Sequence, residues 1–177
     1  MGSKHEGIGG WLILMAVGLM MVPLIRLYSL YQSYWTVYHT PAWSSLTESG
    51  NPLYHAWFQP TFWLNIAVDI GFIGLSVAAL WLLFTKHSLF PKFMIYYLVG
   101  LTVFAIIDGL ITNWIFGSLP LTAETLDYVK NQSYRQQAGS LLLCLIWIPY
   151  LLRSQRVKTT FVNSPKKQTV ADNNLTF

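Results

Sequence analysis

Long apolar runs constrain this chain more than any other feature. Residues 61–84 and 93–116 each exceed the roughly 20 residues that a helix needs to cross the hydrocarbon of a bilayer. Residues 8–26 form a third such run if the glycines at positions 7, 9 and 10 open the helix. The fourth, residues 136–153, is short in its apolar core, and Tyr134 and Arg135 extend it toward the headgroups. Within lipid a segment must satisfy its own backbone hydrogen bonds, so the runs are expected to be helices. The sequence therefore predicts an all-α membrane protein. Its four transmembrane helices form one antiparallel bundle over residues 1–161, followed by a disordered cytoplasmic tail at 162–177.

Composition agrees. Of 177 residues 54% are hydrophobic and 10% charged, against about 25% charged in soluble domains. A soluble domain of ordinary size has no room beside the four spans. The single cysteine, Cys144, lies in an apolar run, so no intramolecular disulfide can form. The first run is preceded by Lys4 and His5, as in a secretory leader. No small-x-small cleavage pattern follows; Pro23, Arg26 and an aromatic series follow instead, and the run is read as a retained helix.

Lysine and arginine set the orientation. Lys4, Lys86, Lys92, Arg153, Arg156, Lys158, Lys166 and Lys167 fall on one side, and only Arg26, Lys130 and Arg135 on the other. Both termini are thus expected in the cytoplasm. The net charge of +4 bears on topology, and no nucleic-acid partner is implied. The first outer segment, 27–60, is expected as a long loop rich in aromatic rings. Its Tyr28, Tyr31, Trp35 and Tyr38 recur at helical spacing, so the first helix can project past the membrane. Thr122 followed by Glu124 and Thr125 has the pattern of a helix start leading into the fourth span.

Two aspartates sit inside the apolar runs. Asp69 and Asp108 both fall roughly 12–13 Å below the outer ends of their spans at 1.5 Å per residue. A carboxylate at that depth costs several kcal/mol unless it is paired, hydrated or protonated. Arg26 and Arg135 flank the outer ends of the first and fourth spans, and a long arginine side chain can reach down from an interface. The expected core is an intramembrane polar network of Asp69, Asp108, Arg26 and Arg135 with Asn65, Tyr97 and Asn113. Asn65, Asp69 and Ser76 share one face of the second span. Ala67, Gly71, Gly74 and Ala78 form a small-residue stripe opposite, suited to close helix contact.

Catalytic chemistry finds little footing. No histidine or lysine lies in any span, which disfavours intramembrane haem, Schiff-base and serine-triad sites. His39, Glu48 and His55 share the first outer segment, but their spacing is too loose to specify a metal. Intramembrane aspartyl proteases carry Tyr-Asp and Gly-x-Gly-Asp, whereas this chain has Val68-Asp69 and Ile107-Asp108. No catalytic residue, metal or cofactor is expected.

Two end motifs carry a family likeness. Gly7-Ile8-Gly9-Gly10-Trp11-Leu12-Ile13-Leu14 opens the first span. Ile146-Trp147-Ile148-Pro149-Tyr150 closes the fourth, followed by Ser154-Gln155-Arg156-Val157-Lys158-Thr159-Thr160-Phe161. Together they resemble the YdgK-like family of bacterial inner-membrane proteins, a family whose function is not assigned. The resemblance implies a bacterial cytoplasmic membrane and brings no catalytic residue, cofactor or substrate. Physically, Trp11, Trp147 and Tyr150 are interfacial anchors, and Arg153, Arg156 and Lys158 meet anionic inner-leaflet lipid at about 1 kcal/mol each. The expected function is that of a non-enzymatic accessory or regulatory membrane component, with the bilayer and either a membrane protein or a second copy as partners. The alternative is a proton-coupled small-molecule transporter or channel subunit using Asp69 and Asp108.

Overall fold

The computed structural model describes residues 10–161, which are all-helical apart from turns and one isolated bridge between Ser49 and Asn51. Helix α1 (Trp11–Ser33) runs on through a π-helical turn, Tyr34–Tyr38. A short α2 (Pro41–Thr47) follows, then α3 (Phe58–Phe84), α4 (Phe90–Gly117), α5 (Ala123–Arg153) and α6 (Gln155–Thr160). Three helices are long and apolar enough to cross a membrane: Trp11–Tyr38, Phe58–Phe84 and Phe90–Gly117.

Each boundary has a local cause. Gly10 precedes α1 at φ 57°, ψ −131°, a conformation open to glycine and strained for other residues; a Cβ there would also come within 3.0 Å of the Arg156 guanidinium. Between α3 and α4 the chain reverses through Lys86 at φ 52°, and Pro91 sits in the first turn of α4, where its missing N–H leaves no bond unmade. Thr122 caps α5 as its spacing predicts, its hydroxyl accepting from the Thr125 N–H at 3.4 Å. From there α5 is continuous to Arg153, with Pro149 inside it.

Two antiparallel pairs form the body. Helix α1 lies against α3, α5 lies against α4, and the pairs meet less extensively through α3 and α4. The main apolar core is concentrated at the end where the described chain begins and finishes. Leu12, Met15 and Leu19 of α1, Ala79 and Leu83 of α3, Phe90, Met94 and Leu98 of α4 and Leu151 of α5 meet there. Helix α6 folds under this end: Val157 is buried, and Phe161 stacks on Phe90 with ring centres 4.7 Å apart.

Three sequence expectations change. The segment 27–60, expected as a long loop, is helical to Tyr38, as the spacing of its aromatic series implies, and again in α2, where the rings pack. Tyr34 stacks on Tyr38 at 5.1 Å, Tyr38 meets Trp43 at 5.1 Å, and Trp43 meets Phe62 at 5.0 Å, joining α1, α2 and α3. Arg26 consequently lies inside α1 and not at its end. The small-residue stripe of α3 makes no close contact at its glycines among the described residues: a Cβ on Gly71 or Gly74 would meet nothing within 4 Å. Helix α3 instead meets its neighbours through the face carrying Asp69, Phe72 and Ala79. The expected tail at 162–177, with Lys166 and Lys167, and the opening residues through position 9 lie outside the described residues.

Candidate functional site

The polar residues of the long helices gather at one level. Arg26 lies 15 residues beyond Trp11, and Asp69 lies 15 residues before Phe84, so each stands about 22 Å from the closed end. Asp108 stands about 27 Å from that end on α4. A guanidinium nitrogen of Arg26 donates to Asp69 Oδ1 in an ion pair that joins α1 to α3, with the two side chains 22% and 29% exposed. The Asn65 amide donates to Asp108 Oδ1 at 2.8 Å, joining α3 to α4. Helix α3 is thus tied to α1 by an ion pair and to α4 by an amide–carboxyl hydrogen bond, each between residues 43 positions apart in sequence.

An aromatic step extends the first bridge inward. The Arg26 guanidinium lies over the Phe72 ring at 5.1 Å, and Phe72 meets Tyr97 edge-to-face at 5.9 Å. Tyr97 is 4% exposed, and its hydroxyl has no hydrogen-bond partner among the described residues. The Asn113 side-chain oxygen is buried and likewise without one. Arg135 is exposed on α5, and no ion pair or hydrogen bond joins it to either aspartate. The geometric reason is that α5 packs on α4, away from Asp69, and turns Ser133 and Gln137 toward α4 in place of Arg135. The two aspartates do not share a hydrogen bond; each has its own partner.

Sequence reasoning overlooked the polar seam between α4 and α5. A Cβ at Gly109 would lie 2.1 Å from the Gln137 amide nitrogen and 3.5 Å from Ser133 Cβ, so glycine beside Asp108 makes room for a glutamine from α5. Deeper in, the Thr102 hydroxyl lies 3.0 Å from the Leu98 carbonyl, 3.2 Å from the Ser140 carbonyl and 3.0 Å from Cys144 Sγ. The signal was present: Ser133, Gln137, Ser140 and Cys144 recur at spacings of four, three and four along α5, one helix face.

At the opposite end from the core, the start of α3 and the end of α4 flank an open groove of about 430 Å³. It is lined by Trp57, Pro60, Thr61 and Leu64 on one side and by Ile111 and Trp114 on the other. His55 braces Trp114 edge-on at 5.1 Å. Of the anchor residues, Trp11 meets Trp147 edge-to-face at 6.2 Å and Trp147 meets Tyr150 at 5.9 Å, all near the closed end. Arg153 and Lys158 are exposed there and Arg156 is half-buried beside Gly10. His39 packs among Tyr34, Trp35 and Tyr38. No group of three or more metal-ligating side chains occurs among the described residues.

A family model described as protein of unknown function (DUF2569) matches residues 5–162. The chain belongs to this family. The match takes in every described helix and both polar bridges. No curated protein and no solved structure matches the chain.

Proposed function

We propose that this chain is a four-span accessory or regulatory component of the bacterial cytoplasmic membrane, without catalytic activity of its own, with both termini in the cytoplasm. The observation that carries the reading is how little of the chain's apolar surface is covered from within. In the apolar windows of its three long spans, 22%, 22% and 33% of residues are buried. Lipid or another membrane protein must cover the remainder, and the open face of α3 at Gly71 and Gly74 admits a close helix neighbour.

The fourth span rests on the α4–α5 seam. Thr102 stands near the middle of α4 and contacts Ser140 and Cys144 of α5. If α4 crosses the hydrocarbon, α5 crosses beside it, with Leu145 and Ile146 turned outward. The end motifs support the YdgK-like assignment within the family, and the basic residues of the closed end support its cytoplasmic placement.

The experiment is crosslinking and mass spectrometry on membranes containing the full chain, with a Gly74→Ile variant beside the parent. A partner, or a second copy, is expected to crosslink to the parent stoichiometrically and to be lost from the variant, whose own fold places nothing within 4 Å of the added Cβ among the described residues. A parent that crosslinks to nothing but lipid would remove the accessory reading. Cysteines placed at Ser45 and Thr159 and labelled from one side of the membrane test the orientation; equal labelling of both would refute it.

A further inference from the structure

The groove between the start of α3 and the end of α4 is lined by uncharged residues and stops about one helical turn short of an acidic one. Asp108 lies one helical turn inward of Ile111, and Asn65 lies one turn inward of Thr61. The Asn65–Asp108 hydrogen bond crosses from α3 to α4, so the carboxylate stands between the same two helices that wall the groove.

Charge at this level is unbalanced. Arg26 is committed to Asp69, while Asp108 has only the neutral amide of Asn65 and no cationic side chain within ion-pair distance among the described residues. With its carboxylates ionised, the three-residue cluster carries one net negative charge inside an apolar wall. Such a charge is stabilised by a counter-ion that tolerates the same surroundings.

The walls narrow the chemistry of that counter-ion. Two indoles, Trp57 and Trp114, stand 60% and 57% exposed at the mouth, positions from which their faces can attract an organic cation. An inorganic divalent ion would need several oxygen ligands, and the residues here offer one carboxylate and one amide. An anion would be repelled, and a neutral apolar molecule would leave the carboxylate uncompensated. The volume, about 430 Å³, lies within the ordinary range for a small-molecule site.

We propose that this groove binds a hydrophobic organic cation, its apolar body between Trp57 and Trp114 and its charge opposite Asp108. The inference goes beyond the accessory role and does not rest on it. It concerns binding, and no transport step is required.

Tetraphenylphosphonium is the probe and tetraphenylborate, of similar size and opposite charge, its control. Both are titrated against the full chain in lipid nanodiscs by equilibrium dialysis and tryptophan fluorescence, with empty nanodiscs subtracted. Saturable binding of about one cation per chain is expected, at least tenfold tighter than the anion. Asp108→Asn is expected to weaken cation binding at least tenfold, and Leu64→Trp, which fills the groove from an exposed position, to abolish it. The Leu64 variant leaves the Asn65–Asp108 bridge in place and decides the matter should Asp108→Asn fail to fold. Absence of saturable cation binding to the parent, equal binding of the two ions, or undiminished binding by either folded variant would each overturn the proposal.

Discussion

Removing Asp69 should cost more than removing any other polar side chain at its level. Asp69 lies about 16 Å from the nearer end of α3, deeper than an arginine side chain can reach to the headgroups. Asp69→Leu therefore leaves the Arg26 guanidinium between α1 and α3 with only the Phe72 ring beneath it. Breaking a fully buried pair from one side costs about 3–5 kcal/mol. This pair is partly exposed, at 22% and 29%, and measured side-chain hydrogen bonds between membrane helices average well below that range. About 2–3 kcal/mol is the expected loss for Asp69→Leu, and similarly for Arg26→Met. The double variant should return to within about 1 kcal/mol of the parent, because two apolar side chains replace two charges in an apolar setting. The assay is reversible unfolding in mixed micelles of a mild detergent and sodium dodecyl sulfate, followed by far-ultraviolet circular dichroism, on all four proteins. The coupling energy from that cycle should be about 3 kcal/mol or more. Singles within about 0.5 kcal/mol of the parent, or losses that simply add, would refute the claim that this ion pair ties α1 to α3.

Gly109→Leu should destabilise by about 1–3 kcal/mol through overpacking against Gln137, and Gln137→Ala should recover most of that loss in the same unfolding assay; failure of the rescue would mean that the two residues do not share the space. Phe161→Ala removes the ring stacked on Phe90 and is expected to lower stability by about 3 kcal/mol, read as a lowered detergent melting temperature. Thr102→Val keeps the volume but loses the hydroxyl between α4 and α5, for about 1 kcal/mol, with faster alkylation of Cys144 by a membrane-permeant maleimide as the second readout.

Much of the architecture could be read from residue order because hydrophobic length and the bilayer's demand on backbone hydrogen bonds are local properties. The bounds of α3 and α4, the tight turn at Lys86 and the cap at Thr122 all follow from neighbours in sequence. The Arg26–Asp69 and Asn65–Asp108 bridges were legible as types, since a polar group in an apolar run needs company, and counting depth placed both acids near one level. Partner choice was less legible. Arg135 looked as suitable as Arg26, yet the rotation of α5 about its own axis decides which of its residues faces α4, and it is Gln137 that meets α4, at Gly109. The groove was invisible for a related reason: it lies between residues of two helices, and which of them face one another is not fixed by their neighbours in sequence. Phe161, part of a motif read as topology and lipid contact, turns out to close the core.

The closed end has a consequence for how the molecule is made. Its innermost apolar residues include Leu12 and Val157, drawn from the two extremes of the described chain. During synthesis α1 must wait for α6 before that joint can close, a contact of very high sequence separation. Until then the Phe90 ring lacks its cover from Phe161, and any quality-control protease that reads unfinished membrane proteins would meet that end open.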